Sequence, residues 1–202
     1  MANLSAVHSV GSSLITYLRN AYPEPLRTDH DCDFRLLSSG EMADPGDMGT
    51  ALTLYLYRIT VDEHLRSEPM SYKPHDQALP LSVDLHYLLS VWADSALVEH
   101  TIIAWVMSEL DQHCVLDKAT LSSDGGWFDE DQVQIVPVEL SNEDLMRIWD
   151  ALAPNYRLSV SYKARVVRID PIPIPEGEPV VARRLRYSDD ISMREEAESV
   201  PS

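Results

Sequence analysis

The clearest pattern of hydrophobic and polar positions lies between Leu140 and Asp170. Ser141 is a preferred N-cap residue, and Asp144 stands three residues later, where a capping box has its acid. Apolar side chains then recur at i, i+3, i+4 and i+7 on one helical face: Leu145, Ile148, Trp149 and Leu152. Because proline does not fit a helix interior, Pro154 ends the segment. The pattern predicts a capped amphipathic helix.

The residues that follow alternate with the period of a β-strand. One face carries Leu158, Val160, Tyr162, Ala164 and Val166, and the other carries Ser159, Ser161, Lys163 and Arg165. The alternation predicts a long, half-buried strand whose polar face points to solvent.

The remaining periodic segments predict two further helices and four further strands. Helical spacing covers about 3–20 and 95–113, with Asn3 and Asp94 as candidate caps. Strand patterns cover 34–37, 50–61, 81–92 and 132–138. Strict βα alternation is missing, so the order predicts an α+β fold with a mixed or largely antiparallel sheet of about four to five strands, packed by three helices.

The segment 81–92 is the most strand-like of all. Its odd-numbered positions are apolar and are expected to point inward. The alternate positions, expected to point outward, are Ser82, Asp84, His86, Leu88 and Ser90. The pattern predicts one buried and one solvated face.

Beyond Asp170 the chain changes character. PIPIPEGEPVV has alternating prolines and no core-forming period, which favours extended conformations. The sequence predicts one domain over 3–170 and an extended or flexible C-terminal arm over 171–202. The arm's apolar residues are expected to add to a sheet edge on another chain: Val180, Val181, Leu185 and Tyr187.

Composition limits the classes of partner that we expect. The 33 acidic and 16 basic residues give a net charge of −17, which repels a nucleic-acid backbone. The sequence contains no run of about 18 apolar residues, so it predicts no membrane span. We therefore expect no nucleic acid and no membrane as partner, and a soluble protein made in the bacterial cytoplasm. Two cysteines, Cys32 and Cys114, fit buried thiols, with a single disulfide as the alternative.

Motifs for chemistry are weak. Asp29, Asp31 and Asp33 match the first ligands of a calcium loop, but Phe34 and Gly40 replace its essential glycine and glutamate. No CxxC, HExxH, GxSxG or phosphate-loop spacing occurs. We therefore expect no catalytic residues, no cofactor and no metal.

Lys163, Arg165 and Arg168 are the only clustered bases before the arm. They are interpreted either as the polar face of a strand or as an ion-pairing patch for an acidic partner surface. With the four apolar arm residues, they are the candidate contacts to a subunit or partner.

Three segments together resemble the cap, or tail-terminator, family of contractile injection systems. They are TALTLYLYRITVDEHLR, then PLSVDLHYLLSVWADSALVEHTIIAWVMSELDQH, and last LSNEDLMRIWDAL with YRLSVSYKARVVRID, so the resemblance covers about residues 3–170. It implies a structural role: a ring, expected to be a hexamer, on the end of the tube and sheath of a phage-tail-like particle, where it stops polymerisation. The implied partners are further copies of the chain, the inner-tube protein and the sheath protein.

Two alternatives come from other classes. One is a small metal-dependent or hydrolytic enzyme built on His86, Asp84 and loop acids. The other is an assembly adaptor or chaperone that is absent from the finished particle. Retention in the particle distinguishes a cap from a chaperone.

Overall fold

The structure is a computed structural model, and it describes residues 2–62 and 80–169. All of these residues fall in one compact unit, Met1–Pro171. The four apolar residues of the predicted arm lie outside the described part, so the predicted boundary at residue 170 stays a prediction.

A six-stranded sheet forms the centre of this unit. Its strands are β1 (Asp33–Leu37), β2 (Ala51–Val61), β3 (Leu81–Trp92), β4 (Val115–Leu116), β5 (Val133–Pro137) and β6 (Ser159–Ile169). The spatial order is β1-β2-β3-β6-β5-β4; β1 runs parallel to β2, and every other neighbouring pair is antiparallel. The sheet is therefore mixed and largely antiparallel, as predicted.

The described α-helices are α1 (Ala6–Ala21), α2 (Glu24–Asp29), α3 (Ser39–Ala43), α4 (Ala96–Gln112) and α5 (Asn142–Ala151). The α+β class is confirmed. The expected numbers of strands and helices are too low, because β4, α2 and α3 are too short to show a period. Only the caps mark α3: the Ser38 hydroxyl accepts from the Glu41 N–H, and the Glu41 carboxylate accepts from the Ser38 N–H.

One face of the sheet, the first face, packs under α1 and α4. The largest of its fully buried side chains come from both helices and from β2 and β3: Leu14, Leu18, Leu52, Leu54, Leu85, Tyr87, Leu89, Ile102 and Leu110. On β1, Phe34 contacts the rings of Tyr22 and Trp105 edge-on, at centroid distances of 5.4 and 6.2 Å. This face forms the main core.

The described residues cover the opposite face, the second face, only in part. A smaller apolar cluster joins α3 and α5 to the start of β2 and the end of β3: Leu37, Met42, Met48, Ala51, Leu88, Trp92 and Trp149. The prediction that Leu88 points to solvent is wrong, because this cluster leaves it 0% exposed. The same-face neighbours of Leu88 in the strand, His86 and Ser90, are polar, so the sequence does not reveal that short helices cover this position.

The predicted cap of α5 is confirmed, and that of α4 is wrong. Ser141 accepts the Asp144 N–H at 3.1 Å. The N-cap of α4 is Ser95 and not Asp94, and its side chain makes no capping bond. The adjacent exposed acid therefore remains available for other contacts.

Both cysteines are free thiols. Burial raises the pKa of the Cys32 thiol to about 12, so this side chain behaves as a small apolar residue. The predicted buried thiol is confirmed for Cys32, and the alternative of a disulfide is wrong. No helix in the described part of the chain is long and apolar enough to cross a membrane.

Candidate functional site

The open half of the second face lies where β2, β3 and β6 continue past their neighbours. The pairing of β1 with β2 stops at Tyr55, and α3 and α5 pack near the opposite end of β2. In this open half, Arg58 pairs in register with His86, and His86 pairs with Lys163. One row across three strands therefore carries an arginine, a histidine and a lysine side by side.

The same half carries two more arginines. Arg165 is in register with Gln134 of β5, and Arg168 with Ser82 of β3. Because the flanking positions of β3 and β5 point into the main core, these partners and both arginines lie on the second face. We name the set Arg58, Lys163, Arg165 and Arg168 the basic end of the sheet.

One ion pair and two hydrogen bonds connect the side chains in and around this row. The Asp84 carboxylate receives the Lys163 ammonium at 2.9 Å. The His86 Nε2 lies 3.0 Å from the Thr60 hydroxyl, and the Tyr57 hydroxyl lies 3.0 Å from the Ser161 hydroxyl. Asp84 and Thr60 thus hold Lys163 and His86 in place.

The electrostatics of the row favour a neutral imidazole. Burial is the largest cause of a lowered His86 pKa, and the charges of Lys163 and Arg58 lower it further, while Asp84 opposes them. The positive charge of this row comes from Lys163 and Arg58 and not from the imidazole. The arrangement is therefore suited to accept carboxylates.

The arginines of the basic end differ from other cations in the described residues. Arg27, Arg35 and Arg147 bind carboxylates, Lys118 binds Asp129, and Arg157 lies 4.8 Å above the Trp92 ring. Arg58, Arg165 and Arg168 are exposed and have no side-chain partner of this kind in the described part of the chain. In a chain with a net charge of −17, these three arginines, which bind no acid within residues 2–62 and 80–169, are a candidate binding site for acids.

In the described residues, no serine hydroxyl is hydrogen-bonded to the His86 imidazole. His86 is bonded to Thr60, whereas Ser161 is bonded to Tyr57, so no serine is activated by the imidazole. Two open grooves of about 620 and 430 Å³ lie on the described surface, and neither is lined by His86 or Asp84. Within residues 2–62 and 80–169, no three potential ligand residues cluster as a metal site would require.

The structure brings together the three candidate contact residues of the last strand. Lys163, Arg165 and Arg168 share the second face, and Lys163 is the only one of them bound to a carboxylate in the described residues. The other candidates, Val180, Val181, Leu185 and Tyr187, lie outside the described residues. Sequence reasoning misses Arg58, because only the register between β2 and β3 places it beside His86.

Comparisons with known proteins bear on the whole chain. The family model described as the Pvc16 N-terminal domain matches residues 9–183. No curated protein matches the sequence.

Two solved structures are similar in fold. One is the PVC sheath/tube terminator of an extracellular contractile injection system in its extended state, at 18% identity and a TM-score of 0.49, over 93% of this chain and 65% of that one. The other is the tube-terminating cap of the anti-feeding prophage, at 19% identity and a TM-score of 0.45, over 85% of this chain and 61% of that one. The chain thus spans less than two thirds of the length of either protein.

Proposed function

Because the chain belongs to the Pvc16 N-terminal domain family, we propose that it is a structural cap of a phage-tail-like contractile injection particle. In this proposal, copies of the chain form a ring, a hexamer, on the end of the tube and sheath and stop further polymerisation. The observation that carries the proposal is the family match, which agrees with the family predicted from the sequence. The role is one of contact and not of catalysis.

The open second face supports this role. A terminator has to bind neighbouring copies, the inner-tube protein and the sheath protein, so it needs several surfaces that are not used by its own core. The exposed arginines of the basic end provide one such surface. These three exposed side chains bind no acid within the described residues, so their guanidinium groups can pair with acidic groups of a protein partner.

The arm residues take a second part in the proposal. Val180, Val181, Leu185 and Tyr187 would add to a sheet edge of a neighbouring subunit or partner, because β-branched and aromatic side chains suit an added strand. Deletion of 171–202 is expected to leave the domain folded and to weaken assembly. A loss of the cooperative thermal transition in this truncation would contradict the proposed boundary.

Polymerisation of the tube in vitro tests the function. Purified tube and sheath proteins are assembled with increasing amounts of the chain, and particle lengths are measured by electron microscopy. A cap shortens the particles in proportion to its amount and adds density at one end. Unchanged lengths and bare ends would contradict the proposal.

Composition of the finished particle separates the remaining alternatives. A cap is retained in stoichiometric amount when particles are purified, and mass spectrometry of washed particles detects it. A chaperone is absent from them, although it co-purifies with one unassembled component. The second outcome would replace the cap by an assembly factor.

A further inference from the structure

The central strands separate charge along their length. At the start of β2, Asp33 pairs with Ala51, and the last residue of β3, Trp92, also pairs with Ala51. The basic end lies around Arg58 and beyond, near the other terminus of β2. At a rise of about 3.3 Å per residue, the two termini of this strand are about 30 Å apart.

Four acids gather at the start of β2. Asp31 and Asp33 line an open groove with Met48 and Gly49, and the Gly49 N–H donates to the Asp47 carboxylate at 3.1 Å. Asp94 follows the last residue of β3, beside the start of β2. We name the set Asp31, Asp33, Asp47 and Asp94 the acidic end of the sheet.

The acidic end is available to cations. Its four side chains are exposed, and only Asp33 has an ion-pair partner in the described part of the chain, the guanidinium of Arg35 at 2.6 Å. These carboxylates are complementary in charge to the three arginines of the basic end, which bind no acid within the described residues. Because the two sets lie about 30 Å apart, they cannot neutralise each other within one copy.

Apolar side chains are also exposed at the strand ends that carry the basic end. On the first face of the same strand ends, Ile59, Val61 and Leu81 are 49%, 43% and 45% exposed. The same strand ends therefore expose apolar side chains on the first face and arginines on the second, and a protein partner can contact both. A protein surface therefore suits this region better than a small ion.

We propose that the basic end of one copy docks against the acidic end of the next, so that copies associate head to tail. Two basic ends repel each other, as do two acidic ends, so a contact that uses the same patch on both copies is disfavoured. A head-to-tail contact uses two different patches and closes into a ring when the rotation per copy allows it. The inference rests on the proposed function in that it names the contact between neighbours in the ring.

Charge reversal at each end tests the proposal. Analytical ultracentrifugation compares the wild-type chain with two variants, Arg58→Glu/Arg165→Glu and Asp31→Lys/Asp94→Lys. We expect each variant alone to lose self-association at concentrations where the wild-type chain is multimeric. The control Lys118→Glu/Arg147→Glu makes the same change in charge as the basic-end variant, away from both ends, and is expected to associate as the wild type does.

Mixing the two variants gives the decisive measurement. Each variant has one native end, and its reversed end complements the reversed end of the other variant. The mixture is therefore expected to regain the multimer with the two variants in equal numbers, which misfolding of either variant would prevent. A mixture that stays monomeric, or a variant that associates alone as the wild type does, would overturn the proposal.

If the wild-type chain is monomeric by itself, its binding to the ends of particles is measured instead. The same variants are then compared for density at the ends of tubes, and both, separately, are expected to reduce it at least tenfold. Loss with the basic-end variant alone would assign the basic end to the tube or sheath protein and overturn the contact between copies. If both variants shorten particles as the wild type does, the contact between copies is overturned and the proposed function is left intact. If the wild-type chain self-associates through the two ends but has no effect on particle length, the proposed function is overturned and the contact between copies is left intact.

Discussion

The two faces of the sheet contain the same strands and have opposite surroundings. The first face is apolar along its whole middle and lies under two long helices, α1 and α4. The second face is apolar only where α3 and α5 cover it, and it turns polar and basic where they do not. The covered surfaces hold the fold together, and the half that the described residues leave open is the proposed contact surface.

The transition between the two halves of the second face is sharp. Leu88 is fully buried on β3, and two positions earlier on the same face His86 is only partly buried beside two cations. A single strand therefore passes from the core to a binding surface within one side-chain repeat. Substitutions along these strands should accordingly change stability or assembly, depending on which surface they touch.

The largest effect on stability is expected in the main core. Phe34→Ala removes a side chain that is 2% exposed and contacts two aromatic rings, so the free energy of unfolding should fall by about 3–5 kcal/mol. Urea denaturation followed by circular dichroism measures it. The chain offers a matched control in its other phenylalanine: Phe128 is 56% exposed, and Phe128→Ala should change the value by no more than about 0.5 kcal/mol. Equal losses in both variants would contradict the assignment of the main core.

A smaller loss is expected from the cluster on the second face. Leu88→Ala leaves a cavity under two short helices that can partly close it, so a loss near the lower limit for leucine, about 2 kcal/mol, is expected. Leu97→Ala is the control, because Leu97 is 69% exposed on α4. If Leu88→Ala were as mild as its control, α3 and α5 would not cover the strand in solution.

Removal of the α5 cap should cost less again. Ser141→Ala leaves the Asp144 N–H without its 3.1 Å acceptor, and the expected loss is about 1 kcal/mol. Ser141→Asp keeps an acceptor at this position and should remain within about 0.5 kcal/mol of the wild type. The midpoint of urea denaturation distinguishes these values, and a loss in both variants would show that the cap bond is not the cause.

The smallest effect concerns pH at the open half. The folded-state pKa of His86 is lowered from 6.5, so the unfolded chain binds a proton more readily than the folded one. The resulting stability is complete above pH 6.5 and is lost as the pH falls below that value through the folded-state pKa. The denaturation midpoint of the wild type should therefore drop more between pH 7.5 and pH 5 than that of His86→Gln. An identical drop in both proteins would remove His86 as a cause.

Local features of the fold are predictable from the sequence. The strand over 81–92 and the helix that begins after Ser141 are found with almost the predicted bounds. Each depends on neighbours within a few positions along the chain: alternation in one case, a cap and a four-residue apolar spacing in the other. The short helix α3 escapes prediction because one turn is too brief to show a period.

The binding surface is predictable only in part. Lys163, Arg165 and Arg168 stand close together in the sequence, so their cluster is visible without a structure. Arg58 belongs to the same surface, yet more than a hundred residues separate it from them in the chain. The acidic end is still less visible, since Asp94 joins Asp31 only through the pairing of β3 with β2 and of β2 with β1.

By itself, the sequence determined the longer elements, the class of fold and the family, because these follow from short-range periods and from residues in a fixed order. Only the tertiary structure decided which half of the second face is covered and which cations lack a partner. The physical reason is that strand register and helix packing join residues that are distant in the chain, and no local pattern specifies those contacts. The charge separation between the two ends of β2 is a property of that register.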